Sequence, residues 1–180
     1  MPYYLGQLCG ILVTVASVIM PLYQKKWMML VNTALINILM ALNFVLIGEI
    51  GSAAALCAVA TVQCFVSLWH TQKNTSPAKW ETVLFLILYL FFGFFGMVTA
   101  PGFVPELSAH NLLELLPIVG SLCSMTFVFI RNEQKARWVL LATCAVWSVY
   151  TAIIGATTFF AQLISLLTTV AAIWKYRRKM

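Results

Sequence analysis

Residues 83–98 read Val-Leu-Phe-Leu-Ile-Leu-Tyr-Leu-Phe-Phe-Gly-Phe-Phe-Gly-Met-Val. With Thr82, Thr99 and Ala100 the run is long enough to cross a hydrocarbon layer of about 30 Å as one helix. Only Tyr89 in it carries a polar atom. A helix apolar on every face has no stripe to aim at a polar cavity, so lipid or packed protein is expected to surround it. What lies on either side reads as two versions of one unit, with this run as the spacer. A water-soluble alternative fails on composition: at 62% hydrophobic and 9% charged residues, with mean hydropathy +0.94, there is too little polar surface to coat a globule.

Six further spans are expected, at 3–23, 27–47, 52–69, 112–130, 138–154 and from the turn at Gly155-Ala156 to Trp174. Spans of about 20 residues leave room only for short connections. Gly48-Glu49-Ile50-Gly51 suits a tight turn, 70–79 and 131–137 read as polar and basic loops, and Pro101-Gly102 and Pro105 break the apolar pattern. The N-terminus has no basic lead-in and no small-x-small cleavage site, so the first span is expected to be retained. Cys9, Cys57, Cys64, Cys123 and Cys144 all fall inside apolar runs without a CxxC spacing and read as small apolar fillers.

Charge then sets an orientation. With seven spans, all 11 Lys and Arg residues fall in the loops after spans one, three and five and in the C-terminal tail, on one side of the membrane. The positive-inside rule places that side, and the C-terminus, in the cytoplasm and the N-terminus outside. Trp27, Trp69, Trp80, Trp138 and Trp174 lie beside the same loops, where an amphipathic ring favours the interface. Trp147 alone lies at mid-span.

The two halves share a sequence of landmarks. Leu8-Cys9-Gly10, Lys26-Trp27, Leu46-Ile47-Gly48 and Trp69 in the first correspond in order to Ile118-Val119-Gly120, Arg137-Trp138, Ile153-Ile154-Gly155 and Trp174 in the second. Three helices reverse the side of the chain and the spacer restores it, so the triplets run parallel. The expected fold is therefore all-α and integral to the membrane: seven transmembrane helices as two parallel three-helix bundles, 1–73 and 111–180, joined by a linker helix within 74–110. This 3+1+3 plan resembles the superfamily of the SWEET sugar carriers and PnuC vitamin transporters. The Pro-Gln pair of many PQ-loop relatives is absent, since Leu22 follows Pro21 and Ile118 follows Pro117.

A closer resemblance is carried by Glu114-Leu115-Leu116-Pro117-Ile118-Val119-Gly120, by Asn43-Phe44-Val45-Leu46-Ile47-Gly48 and by the spacing of Trp147, Tyr150 and Gly155. Over nearly its whole length the chain is similar to the YgjV family of bacterial inner-membrane proteins. The resemblance implies a small multi-pass protein of the inner membrane more than it implies an activity. Gln162 stands where a more acidic residue would be expected in the last helix, which argues against proton coupling.

No catalytic constellation is visible. The five carboxylates, Glu49, Glu81, Glu106, Glu114 and Glu133, fall in loops or near span ends, and His70 and His110 fall in loops on opposite sides. There is no HExxH, Walker loop or GxSxG, so the chain is not expected to be an enzyme or to hold a metal or cofactor. Neutral polar residues form stripes instead. Thr158, Gln162, Ser165 and Thr169 share one helical face, as do Thr143, Trp147 and Tyr150, and Gln63, Ser67 and His70. Asn32 and Asn43 share a face of span two from which Asn37 is turned away.

Small hydroxyls on such stripes often serve as interhelical glue. Trp147 and Tyr150 offer a stacking wall, and Asn43, Gln63 and Gln162 offer orienting hydrogen bonds, so these five are the candidate substrate-binding residues. The expectation is a facilitative transporter of a small neutral polar metabolite, sugar-like or nucleoside- or vitamin-like. It would work by alternating access and, lacking ionisable groups in its spans, as a uniporter. The alternative is a non-transporting scaffold or receptor with a closed polar core. Expected partners are the lipid bilayer and a small-molecule solute, not nucleic acid; the GxxxG face of Gly6 and Gly10 would suit a homo-oligomer contact.

Overall fold

The computed structural model describes residues 2–48, 51–99 and 109–176. Seven helices follow one another: α1 (Pro2–Ile19), prolonged by a 3-10 turn (Met20–Leu22), α2 (Lys26–Ile47), α3 (Ser52–Gln72), α4 (Lys79–Thr99), α5 (Ala109–Phe129), α6 (Glu133–Ile153) and α7 (Thr158–Tyr176). Each is long and apolar enough to cross a membrane, and no strand occurs among the described residues. The expected all-α, seven-span membrane fold is therefore present. The expected features at Glu49, Ile50, Pro101, Gly102, Pro105, Glu106 and 177–179 lie outside the described residues.

Several helices extend into stretches read as loops. α3 continues to Gln72, so His70 sits in its last turn, buried, with Nδ1 2.8 Å from Thr75 Oγ1 and Nε2 3.0 Å from Glu81. α6 begins at Glu133 because the Asn132 side chain caps it, accepting from Lys135 N at 2.9 Å. Arg137 is thereby helical rather than part of a basic loop. α5 begins at Ala109, which puts His110 in its first turn. Polar residues here lengthen helices instead of ending them, because caps and ion pairs satisfy the terminal groups.

The packing closes a ring. α1 packs on α2, α2 on α3, α3 on α5, α5 on α6, α6 on α7, and α7 back on α1. α4 lies outside this ring, against α3 and α5. The pattern maps onto itself when α1, α2 and α3 are exchanged for α5, α6 and α7, which matches the order of landmarks in the sequence. Gly48 and Gly155, counterparts in that order, both have positive φ (92° and 67°) and end the middle helices α2 and α6.

α4 departs from its expected uniformity. Phe85, Tyr89, Gly93 and Gly96 form one buried stripe facing α3 and α5, and the remaining faces expose Ile87, Phe91, Phe94, Phe95 and Val98. Trp27, Trp69, Trp80, Trp138 and Trp174 are exposed, as belt residues should be, whereas Trp147 is buried. All five cysteines are free. Gly6 and Gly10 are filled from within the chain: a β-carbon on Gly6 would meet Ile47 at 2.9 Å, and one on Gly10 would strike Thr157. The glycine face of α1 is thus spent on α2 and α7 and is closed to a second copy.

Candidate functional site

Inside the ring lies a cavity of about 50 Å³. It runs from mid-depth toward the end of the molecule that carries Lys25 and Lys26. Ser17 and Met20 of the α1 end, Thr33, Asn37 and Met40 of α2, Ser124 and Phe127 of α5, Thr143, Cys144 and Trp147 of α6, and Gln162 and Ser165 of α7 border it. The helical stripes explain most of this lining. Thr143 and Trp147 are one turn apart on α6, and Gln162 and Ser165 share the inner face of α7, all of them buried. No lining residue carries a charge at neutral pH.

Of the five candidate residues, Trp147 and Gln162 border this cavity and the other three do not. Tyr150 sits behind Trp147 in an aromatic cluster. Phe44 stacks on Trp147 with centroids 6.2 Å apart, and Tyr150 meets both rings edge-on at 6.2 and 5.8 Å. Trp147 also packs where Gly120 lacks a side chain; a β-carbon there would lie 2.8 Å from its Nε1. Of the three rings of the aromatic cluster, only that of Trp147 borders the cavity.

The amides divide into two kinds by partner. Asn43, fully buried, donates to Gly6 O at 2.6 Å, and Asn32 donates to Ala16 O at 2.8 Å. These two share a face, as their spacing requires, but that face packs on α1. Gln63 is fully buried between three helices: its Nε2 donates to Met125 O at 3.2 Å and its Oε1 accepts from Tyr89 Oη at 2.7 Å. Asn43 and Gln63 therefore hold helices together. Gln162 Nε2 instead faces Met40 Sδ at 3.7 Å, and Asn37 Nδ2 faces Cys64 Sγ at 4.0 Å. Sulfur is a weak acceptor, so these two N–H donors are held less firmly than those of Asn32, Asn43 and Gln63.

Asn37 is the residue that the sequence reading turned away from the site. Its angular offset from Asn32 and Asn43 is real, but α1 lies on that shared face and the cavity lies on the other. No period in the sequence reveals which side of α2 faces the ring interior.

Besides His70, three charged side chains are buried within the helices, contrary to the expectation that no ionisable group would lie there. Lys26 Nζ donates to Phe127 O at 2.9 Å. Arg137 donates to Pro21 O at 3.2 Å and to Tyr23 O at 3.1 Å. Glu114 accepts from Ser52 Oγ at 2.5 Å and from Ser52 N at 3.3 Å, so its carboxylate meets the first turn of α3. Each lies near a helix end in sequence, yet the ends are packed by neighbouring helices. All three stand outside the cavity lining. Among the described residues, no group of three or more His, Cys, Asp or Glu is placed to hold a metal ion.

A family model described as Imp-YgjV, bacterial inner membrane protein, matches residues 4–180. No curated protein and no solved structure matches the chain.

Proposed function

We propose that this chain, which belongs to the Imp-YgjV family of bacterial inner membrane proteins, is a facilitative transporter of a small, neutral, polar metabolite. The observation that carries the reading is the contrast among amides. Gln162 and Asn37 border the one internal cavity described above with only sulfur as partner, whereas Asn43 and Gln63 are committed to oxygen. A hydroxyl- or amide-bearing solute would replace a poor acceptor with a good one, while the indole of Trp147 supplies a flat wall.

The uncharged lining supports a neutral cargo and a uniport mechanism. Glu114 is buried but engaged with Ser52, away from the cavity, so it offers the solute no proton. The symmetric ring of α1–α2–α3 and α5–α6–α7 supports alternating access by relative movement of two triplets, with α4 as linker. The concentration of basic residues supports a cytoplasmic C-terminus. We assign the chain no enzymatic role.

Size favours a second reading. Sites that enclose a metabolite span roughly 300–1,000 Å³, far more than the cavity present, so the solute fits only after the helices part. A scaffold or receptor with a permanently closed polar core would look the same in this one state. Uptake by the purified protein in proteoliposomes, across a panel of neutral sugars and nucleosides, decides between them. Saturable uptake that ignores an imposed pH gradient is expected; uptake that follows the gradient contradicts uniport, and no uptake of any solute leaves the closed core.

A further inference from the structure

Lys26 and Arg137 hold equivalent places in the two triplets. Lys26 opens α2 and Arg137 lies one turn into α6; each is followed by an exposed Trp, and they are buried at 9% and 3% exposure. Each also reaches out of its own triplet to the C-terminal end of the other's first helix. Lys26 Nζ donates to Phe127 O at the end of α5 and stands 4.2 Å from the centroid of the Phe127 ring. Arg137 donates to Pro21 O and Tyr23 O just past the end of α1, with its guanidinium 4.6 Å from the Tyr176 ring at the end of α7.

The last carbonyls of a helix lack intrahelical donors and carry the negative end of its dipole, so a cation there is held by charge and by hydrogen bonds. Among the described residues neither cation has a carboxylate within ion-pair distance. Their partners across the triplets are those backbone oxygens, and within α6 Arg137 Nη1 also donates to Gln134 Oε1 at 3.1 Å. The contacts also lie at the border of the cavity: Phe127 is itself a lining residue, and Met20, another lining residue, precedes Pro21.

We infer that Lys26 and Arg137 form a paired latch that shuts the cavity at the basic face, and that opening this face requires both to leave the carbonyls of the opposite triplet. The inference rests on the reading of the cavity as a solute path, but opening can be detected without any solute. Cys144 borders the cavity and is buried, which makes it the reporter. In a chain with Cys9, Cys57, Cys64 and Cys123 replaced by Ala, a membrane-impermeant maleimide applied to the face bearing Lys25 and Lys73 should label Cys144 slowly. Lys26→Met with Arg137→Met should raise that rate about tenfold and leave labelling from the opposite face unchanged, whereas Lys26→Arg should keep the slow rate.

Folding is followed in parallel by thermal unfolding and gel filtration. If the double variant does not fold, Lys26→Met alone is read, with a rise of about threefold expected. An unchanged rate in either folded variant, or an equal rise from both faces, overturns the latch. A chain that takes up no solute in proteoliposomes yet shows the one-sided rise keeps the latch and loses the transport reading.

Discussion

The ring closes at two seams, and they are built differently. Where α3 meets α5, α4 is laid across the outside, Gln63 ties Tyr89 to Met125, and Glu114 occupies the first turn of α3 through Ser52. Where α1 meets α7, no helix bridges the outside, and the Oγ1 atoms of Thr157 and Thr158 are buried without a hydrogen-bond partner, as is Oδ1 of the neighbouring Asn43. A buried polar group without a partner lowers the stability of the arrangement that buries it. The first seam is thus braced by α4 and by side-chain hydrogen bonds, with Ser67 Oγ of α3 left without a partner, whereas the second has no bracing helix among the described residues and leaves more such atoms. If the two triplets move relative to each other, α3–α4–α5 is the side that stays together and α1–α7 is the side that parts.

The strongest test of that difference is a pair of glycine substitutions. A β-carbon on Gly96 would lie 2.6 Å from Ser52 Cα and 2.8 Å from Ser52 N, and backbone cannot swing aside. Gly96→Ala should force α4 off α3 and cost about 3 kcal/mol, read as a fall in thermal unfolding temperature in detergent. Gln63→Leu comes next. It strands the Tyr89 hydroxyl in a fully buried site and removes the side-chain donor to the Met125 carbonyl, at about 2 kcal/mol. At the other seam, Gly10→Ala meets the Thr157 hydroxyl, which can rotate away, and then the Thr157 β-carbon at 3.3 Å. It should cost about 1 kcal/mol. Equal losses from Gly10→Ala and Gly96→Ala would erase the distinction between the seams.

How much of this was legible in the sequence depends on the kind of information. Span number and the symmetric order of helices follow from apolar length and from landmarks such as Lys26-Trp27 and Arg137-Trp138, because the bilayer imposes one length on every segment. The inner faces of α6 and α7 were readable for the same reason that any amphipathic helix is: Thr143, Trp147, Gln162 and Ser165 repeat at the helical period and are buried. What the period cannot show is which neighbour a polar face meets. Asn43 and Asn37 are both amides on α2, and only the placement of α1 makes one a strut and the other a lining residue. Gln63 lies outside the cavity lining, bonded to Tyr89 on the spacer helix, whose sequence shows no polar stripe. Lys26 and Arg137 looked like topogenic charges until the helix ends they reach were in place.

The smallest expected change in stability carries the most weight for function. Gln162→Leu removes an N–H donor whose partner is Met40 Sδ at 3.7 Å and places an apolar side chain beside Met40, in a cavity that Ile36 and Leu140 also line. Exchanging a poorly bonded amide for a hydrocarbon of similar size is close to neutral, so the variant should unfold within about 0.5 kcal/mol of the parent. A solute that needs the amide loses one hydrogen bond, and uptake should fall about tenfold. Gln63→Leu is the control, since there the order reverses: stability is lost first. Were Gln162→Leu to destabilise the fold as much as Gln63→Leu, the α7 amide would be holding helices together, and the interior would be a closed core at both seams.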